Sequence, residues 1–160
     1  MARKINSMRL LDASKIPYEV YTFSTDIHSA SGVAAAIGQP LDHVYKTLVV
    51  MRLNGKSLLA IVPGHRKASL KHLAQAIGEK RLHMATQMEA ESLTGLQVGG
   101  ISALALVNRG FDVFLDRSAL DLDRIVVSAG RRGINLRLRV EDLVRATGAT
   151  FVEATSSEEG

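Results

Sequence analysis

Lys46 lies in the run Val44-Tyr45-Lys46-Thr47-Leu48-Val49-Val50. Side chains alternate across a strand, so Lys46 shares one face with Val44, Leu48 and Val50, and Tyr45, Thr47, Val49 and Met51 share the other. Both faces read as buried. An ammonium taken out of water without a partner is costly, and desolvation lowers its pKa. Two explanations fit: a pocket that receives an anion or a polarised carbonyl, or an edge-strand lysine whose stem carries the charge to water. Asn54-Gly55 reads as a two-residue type I′ turn after this strand. Leu53 would then face Lys56, and Lys46 would face Pro63. That places Lys46 at the open end of a hairpin, beside Pro63-Gly64-His65-Arg66.

A second segment with chemical potential is Gly99-Gly100-Ile101-Ser102. Paired glycines let backbone N–H groups approach a ligand, where they can hold a carboxylate, a phosphate or a developing oxyanion. No Gly-Lys-Ser/Thr follows, so this is not a P-loop. A tight turn explains the same residues. The third segment is Ser128-Ala129-Gly130-Arg131-Arg132-Gly133, followed by Ile134-Asn135-Leu136-Arg137-Leu138-Arg139. Its alternation puts Ile134, Leu136 and Leu138 on a core face and Asn135, Arg137 and Arg139 on a basic one. With Arg131 and Arg132, that face either meets a phosphate backbone or is simply solvated. The five histidines show neither an HExxH pair nor cysteine partners, so no metal is expected. His28 stands apart in a polar loop after a strand. Asp112 and Asp116 read as flanking a strand on its polar side.

Elements that would position these residues alternate along the chain. Helices are expected near 5–13, from Ser31 to Gly38, after a Ser69 cap, after the Thr86/Glu89 capping box, and from Val140 to Gly148. Strands are expected at 18–23, 44–53, 57–62, 111–115, 124–128, 134–139 and 149–152. Two hairpins within this mixture point to an α+β domain on a mixed or largely antiparallel sheet. Residues 1–153 read as one domain, and the polar residues 154–160 as a flexible tail.

Composition narrows the function classes. The 160 residues are 46% hydrophobic and 22% charged, which is that of a globular domain. The absence of cysteine excludes disulfides and a cysteine nucleophile, and it is compatible with a reducing cytoplasm. No apolar run reaches the ~20 residues that span a bilayer, and the first residues do not read as a signal peptide. Lys+Arg number 20 against 16 Asp+Glu, a mild excess that permits an anionic partner. Aromatics are 4%, too few for a base-stacking platform. No exposed apolar seam is visible, so a monomer is expected.

Val44-Tyr45-Lys46-Thr47-Leu48, Gly99-Gly100-Ile101-Ser102 and Ser128-x-Gly-x-Arg132-Gly133 occur in this order over nearly the whole chain. The set resembles the YbaK family of aminoacyl-tRNA deacylases, related to the editing domain of bacterial prolyl-tRNA synthetases. The resemblance implies a partly barrel-like α+β fold and hydrolysis of mischarged aminoacyl-tRNA, with Cys-tRNA(Pro) foremost, without metal or cofactor. It implies that Lys46 positions the substrate carbonyl or terminal phosphate and that Gly99, Gly100, Ile101 and Ser102 contact the ester. It places Ser128 and Asn135 in the pocket wall, with His28, Tyr45 and Thr47 as further substrate-binding positions. Arg131, Arg132, Arg137 and Arg139 are candidate tRNA contacts, and prolyl-tRNA synthetase a candidate partner. It further implies that the substrate's own thiol attacks its ester. This chain departs from the family at Ala103, where a proline is usual, and at Asn135, where the namesake carries aspartate. Both departures, and the short Asp26–Ser31 segment, lie where the amino acid is selected. A non-catalytic tRNA- or nucleotide-binding protein on the same fold is the alternative.

Overall fold

The buried strand that carries Lys46 is the second of five in one sheet. A computed structural model describes residues 4–159. Strand β1 spans Glu19–Thr22, β2 Tyr45–Arg52, β3 Leu58–Pro63, β4 Arg66–Ala68 and β5 Leu82–Met84. β6 spans Asp112–Asp116, β7 Arg124–Arg131, β8 Ile134–Arg139, β9 Thr150–Val152 and β10 Thr155–Glu159. The helices are α1 Asn6–Ala13, α2 Ala30–Ile37, α3 Leu70–Ile77, α4 Gln87–Thr94 and α5 Val140–Thr147.

The larger sheet has the order β5-β2-β3-β6-β9, antiparallel across β5-β2-β3 and parallel across β3-β6-β9. A three-stranded antiparallel sheet, β1-β8-β7, packs against it. An isolated bridge between Val44 and Val126 links the two sheets at the start of β2. The fold is therefore α+β with a mixed sheet, as its hairpins imply.

β3 is buried along its whole length, because each of its faces meets a separate core. Leu59 and Ile61 join Tyr45, Val49, Leu115, Val127 and Leu136 between the sheets, closed by Met8 and Leu11 of α1 and Leu143 of α5. Leu58, Ala60 and Val62 pack with Val50 against Leu73 and Ala74 of α3. A third small cluster, Val33, Ala34, Val44 and Val126, seats α2 on the corner where the sheets meet.

Local signals set most helix ends. Ser69 accepts the His72 N–H at 3.1 Å, and Thr86 and Glu89 form a reciprocal capping box. Gly38, Gly78, Gly95 and Gly148 close their helices in the left-handed region. The start of α2 corrects the sequence reading. Ser29 rather than Ser31 is the cap, its Oγ accepting the Gly32 N–H at 3.0 Å.

Three further corrections have physical causes. Lys46 pairs with Val62, and Tyr45 with Pro63, one residue from the expected register. Residues 53–57, five rather than two, connect the strands, with Gly55 at φ +100° and the Arg52 guanidinium donating to the Lys56 carbonyl at 2.8 Å. Asp116 is 3% exposed and lies in the interior, not on a polar strand side. Its carboxylate accepts from the Ala154 N–H at 2.9 Å, the Thr155 hydroxyl at 3.3 Å and the Ser118 N–H at 3.2 Å. Residues 154 and 155, expected as the start of a flexible tail, are thus bonded to the interior. Ala154 is buried, its carbonyl accepts the Ser69 N–H, and β10 pairs antiparallel with β4. The short strands β4, β5 and β10 carry no alternating pattern by which a sequence could announce them.

Candidate active site

A cavity of about 680 Å³ opens at the corner where α2, the start of β2 and the β7–β8 hairpin converge. Its size is that of an ordinary small-ligand site. Lys46, Gly99, Ile101, His28, Tyr45, Thr47, Ser128, Asn135 and Arg132 line it, so segments as far apart in the chain as those of His28 and Asn135 meet here. Phe23, Ile27 and Val33 supply apolar wall, and Ser29 and Ser31 bring the start of α2 to it.

Lys46 is partly buried and makes no ion pair or side-chain hydrogen bond among the described residues. Burial holds its pKa below the usual lysine value. An ammonium left in this state favours an incoming anion or a carbonyl that becomes one. Tyr45, its neighbour, does different work. Its hydroxyl bonds the Ser118 hydroxyl at 2.8 Å, and burial pushes its pKa up to about 12. The phenol therefore stays protonated and anchors the start of β2.

The Ser128-x-Gly sequence makes a bulge. Register slips between Ser128 and Arg131, and the Ser128 Oγ accepts the Gly130 N–H at 3.2 Å. Gly130 sits at φ +108°, and a Cβ there would lie 2.9 Å from the Ala105 Cβ. Ser128 pairs with Asn135 across the hairpin, so both face the cavity together. Gly64 is required by contact rather than by φ. A Cβ would come within 2.6 Å of the Ala30 Cβ, and its N–H donates to the Val44 carbonyl at 2.8 Å.

Not every expected residue reaches the cavity. Gly100 is buried, and a Cβ on it would meet the Arg132 backbone nitrogen at 2.8 Å. Ser102 is 1% exposed, and its Oγ accepts the Ala105 N–H at 3.3 Å. Both support the loop from behind. The four arginines do not form one basic face. Arg137 pairs with Glu19, and Arg139 lies 3.7 Å from Asp123 and 3.4 Å from Glu141. Arg131 is exposed and makes no ion pair among the described residues. Arg132 turns inward to the loop, its Nε–H donating to the Val98 carbonyl at 2.8 Å.

His65, Gln87 and Val98 line the cavity without standing among the expected binding residues. His65 had a signal, since it follows Gly64 at the open end of the β2–β3 hairpin. Val98 had one too, since it directly precedes the Gly99-Gly100 pair, whereas Gln87 had none, because α4 reaches the cavity only through tertiary packing.

A desolvated lysine and a glycine loop around one cavity can receive an anion or a carbonyl oxygen on which negative charge develops. The profile of the aminoacyl-tRNA editing domain matches residues 24–146, and the chain belongs to that family. A curated protein of Enterococcus faecalis bearing the provisional name Cys-tRNA(Pro)/Cys-tRNA(Cys) deacylase EbsC is 34% identical over 158 residues, covering 98% of this chain and 96% of that one. A proline–tRNA ligase of Staphylococcus aureus strain Newman is 25% identical over 111 residues, covering 69% of this chain but 19% of the ligase. Among solved structures, a hypothetical protein superposes with TM-score 0.86 at 22% identity, over 95% of this chain and all of that one. A structure described provisionally as a trans-editing enzyme for prolyl-tRNA synthetase superposes with TM-score 0.82 at 22% identity, over 98% of this chain and all of the other. These two establish likeness of fold.

Proposed function

We propose that this chain is a trans-editing deacylase that hydrolyses mischarged aminoacyl-tRNA, with Cys-tRNA(Pro) as the foremost substrate. The observation that carries the reading is the meeting of Lys46, the Gly99 loop and the Ser128/Asn135 pair around one cavity. The near-full-length relative supports the choice of a cysteinyl ester.

The reacting group is the ester between the amino acid and the terminal ribose. As its carbonyl carbon is attacked, negative charge grows on the carbonyl oxygen. Lys46 and the backbone donors of the Gly99 loop stabilise that charge. With a cysteinyl substrate the substrate thiol supplies the nucleophile. A C–S bond forms, the bond from the carbonyl carbon to the ribose oxygen breaks, and that oxygen takes the thiol proton to become the free ribose hydroxyl. Water then opens the cyclic thioester. This chain supplies position and electrostatics, and it has no cysteine of its own.

The protein acts as a monomer in the cytoplasm, where tRNA is charged, and association with prolyl-tRNA synthetase lengthens its residence on tRNA. No helix among the described residues is long and apolar enough to cross a membrane.

The test is deacylation of labelled Cys-tRNA(Pro), Ala-tRNA(Pro), Cys-tRNA(Cys), Ser-tRNA and Pro-tRNA(Pro) by the wild type and Lys46→Ala. One mischarged species should turn over, with a loss of about 100-fold or more in the variant. Binding of tRNA with no turnover of any species would instead make this a non-catalytic binding protein.

A further inference from the structure

The cavity loop is held by two side chains from different elements. Glu91 on α4 accepts the Val98 N–H on its Oε2 at 2.9 Å. Arg132 in the β7–β8 turn donates its Nε–H to the Val98 carbonyl at 2.8 Å. The two peptide groups flanking the Val98 Cα are thus fixed independently. Gly99 follows at φ +95°, and the Gly100 N–H closes back on the Gln97 carbonyl at 2.8 Å. Gly100 is packed so tightly on the Arg131–Arg132 backbone that a Cβ there would lie 2.8–3.1 Å from it. The loop therefore rests directly on the Arg131–Arg132 backbone.

Arg132 has more to offer than this one bond. Guanidinium carries five N–H donors in a rigid fork. Among the described residues its Nη groups have no hydrogen-bond acceptor, and no carboxylate lies within 4.0 Å. Val98, Gly99 and Arg132 all line the cavity. A planar fork with one edge on a carbonyl and another open suits a phosphate oxygen.

We propose that Glu91 and Arg132 are positioning residues that set the Gly99–Ile101 backbone, and that Arg132 ties this placement to binding a phosphodiester of the tRNA 3′ end. The proposal rests on the deacylase reading above. Energy from binding a phosphate remote from the ester is then used to align the loop donors, which raises kcat rather than affinity alone.

Three variants and two readouts test it. Glu91→Ala should lower kcat about 10- to 100-fold with KM nearly unchanged, since a small misplacement of donors suffices. Glu91→Gln, which keeps an acceptor oxygen, should restore it. Arg132→Lys keeps the charge but not the fork, so kcat should fall by a similar factor while KM rises less. Hydrogen exchange at the Val98 and Gly100 amides should quicken in Glu91→Ala and Arg132→Lys and return to the wild-type rate in Glu91→Gln. Wild-type kcat in both Glu91→Ala and Arg132→Lys, or unchanged exchange at Val98, overturns the proposal. If the wild type turns over no mischarged tRNA, the deacylase reading and the catalytic half of this proposal fall together, and exchange alone decides whether the clamp exists.

Discussion

Lys46 shows how one residue can be placed at the expense of stability. Its ammonium is desolvated and has no carboxylate partner among the described residues, so its pKa lies below 10.5. The unfolded chain holds that proton up to the ordinary lysine value, whereas the folded chain releases it earlier. Between the two values the unfolded state binds more protons, so stability rises with pH across that window. Lys46→Met should abolish that rise in urea unfolding and increase Tm by about 2 °C or more, while removing deacylation. If the charged form is what the ester requires, wild-type kcat/KM falls as pH climbs through the lowered pKa, earlier than an exposed lysine would allow. A rate flat to pH 10.5 would show that the charge is not used. Tyr45 does not confuse this profile, because burial has moved its own titration up to about 12.

At the scale of elements, the cavity is supported by segments that do not line it. β10 and the residue before it are bound to the body of the protein through Asp116, which receives donors from Ala154, Thr155 and Ser118. Ser118 in turn holds the Tyr45 hydroxyl at the start of β2. Asp116→Ala leaves three donors without an acceptor in a water-excluded place. The cost should be about 3 kcal/mol or more in urea unfolding, since each buried unpaired group costs about 1–3 kcal/mol. β10 should be the first element to lose hydrogen-exchange protection. A change below 0.5 kcal/mol would mean that water replaces the carboxylate. β4, which follows the cavity residue His65 directly, pairs with β10. β10 is therefore joined through β4 to the segment that carries His65 into the cavity wall.

For the molecule as a whole, the useful quantity is the charge left over after internal pairing. Net charge is +4, yet Arg137 and Arg139 are already matched by Glu19, Asp123 and Glu141. Only cations without such partners release counterions when a phosphate approaches. Arg131→Ala should therefore weaken tRNA binding and lower the salt slope of log K by about 1, whereas Arg139→Ala should leave both nearly unchanged. Equal effects from the two would mean that the Arg139 ion pairs open on binding. With this mild excess, tRNA affinity should be modest and should fall as salt is raised, which a binding titration at several salt concentrations reads directly.

The sequence by itself determined the features that depend on near neighbours. Helix caps at Ser69 and Thr86, the glycine stops, two hairpins and the mixed α+β class were legible because a few adjacent residues decide them. The site motifs were legible for a related reason. A lysine in an apolar strand and a glycine pair are each unusual in their own surroundings, and their order along the chain marks the family. What the tertiary structure decided depends on partners far away in the chain. Arg137 is neutralised by Glu19, 118 residues distant. Arg132 was legible as a cation but not as a clamp, since Val98 is 34 residues away. Gln87 entered the cavity wall only by packing, and the C-terminal residues became a strand only because Asp116 and β4 offered bonds. Register at Lys46 lies one residue from the expected one because five residues rather than two connect β2 to β3. Alternation and capping are short-range and readable, whereas pairing of charges and strand edges is set by whatever the finished fold brings within about 3 Å.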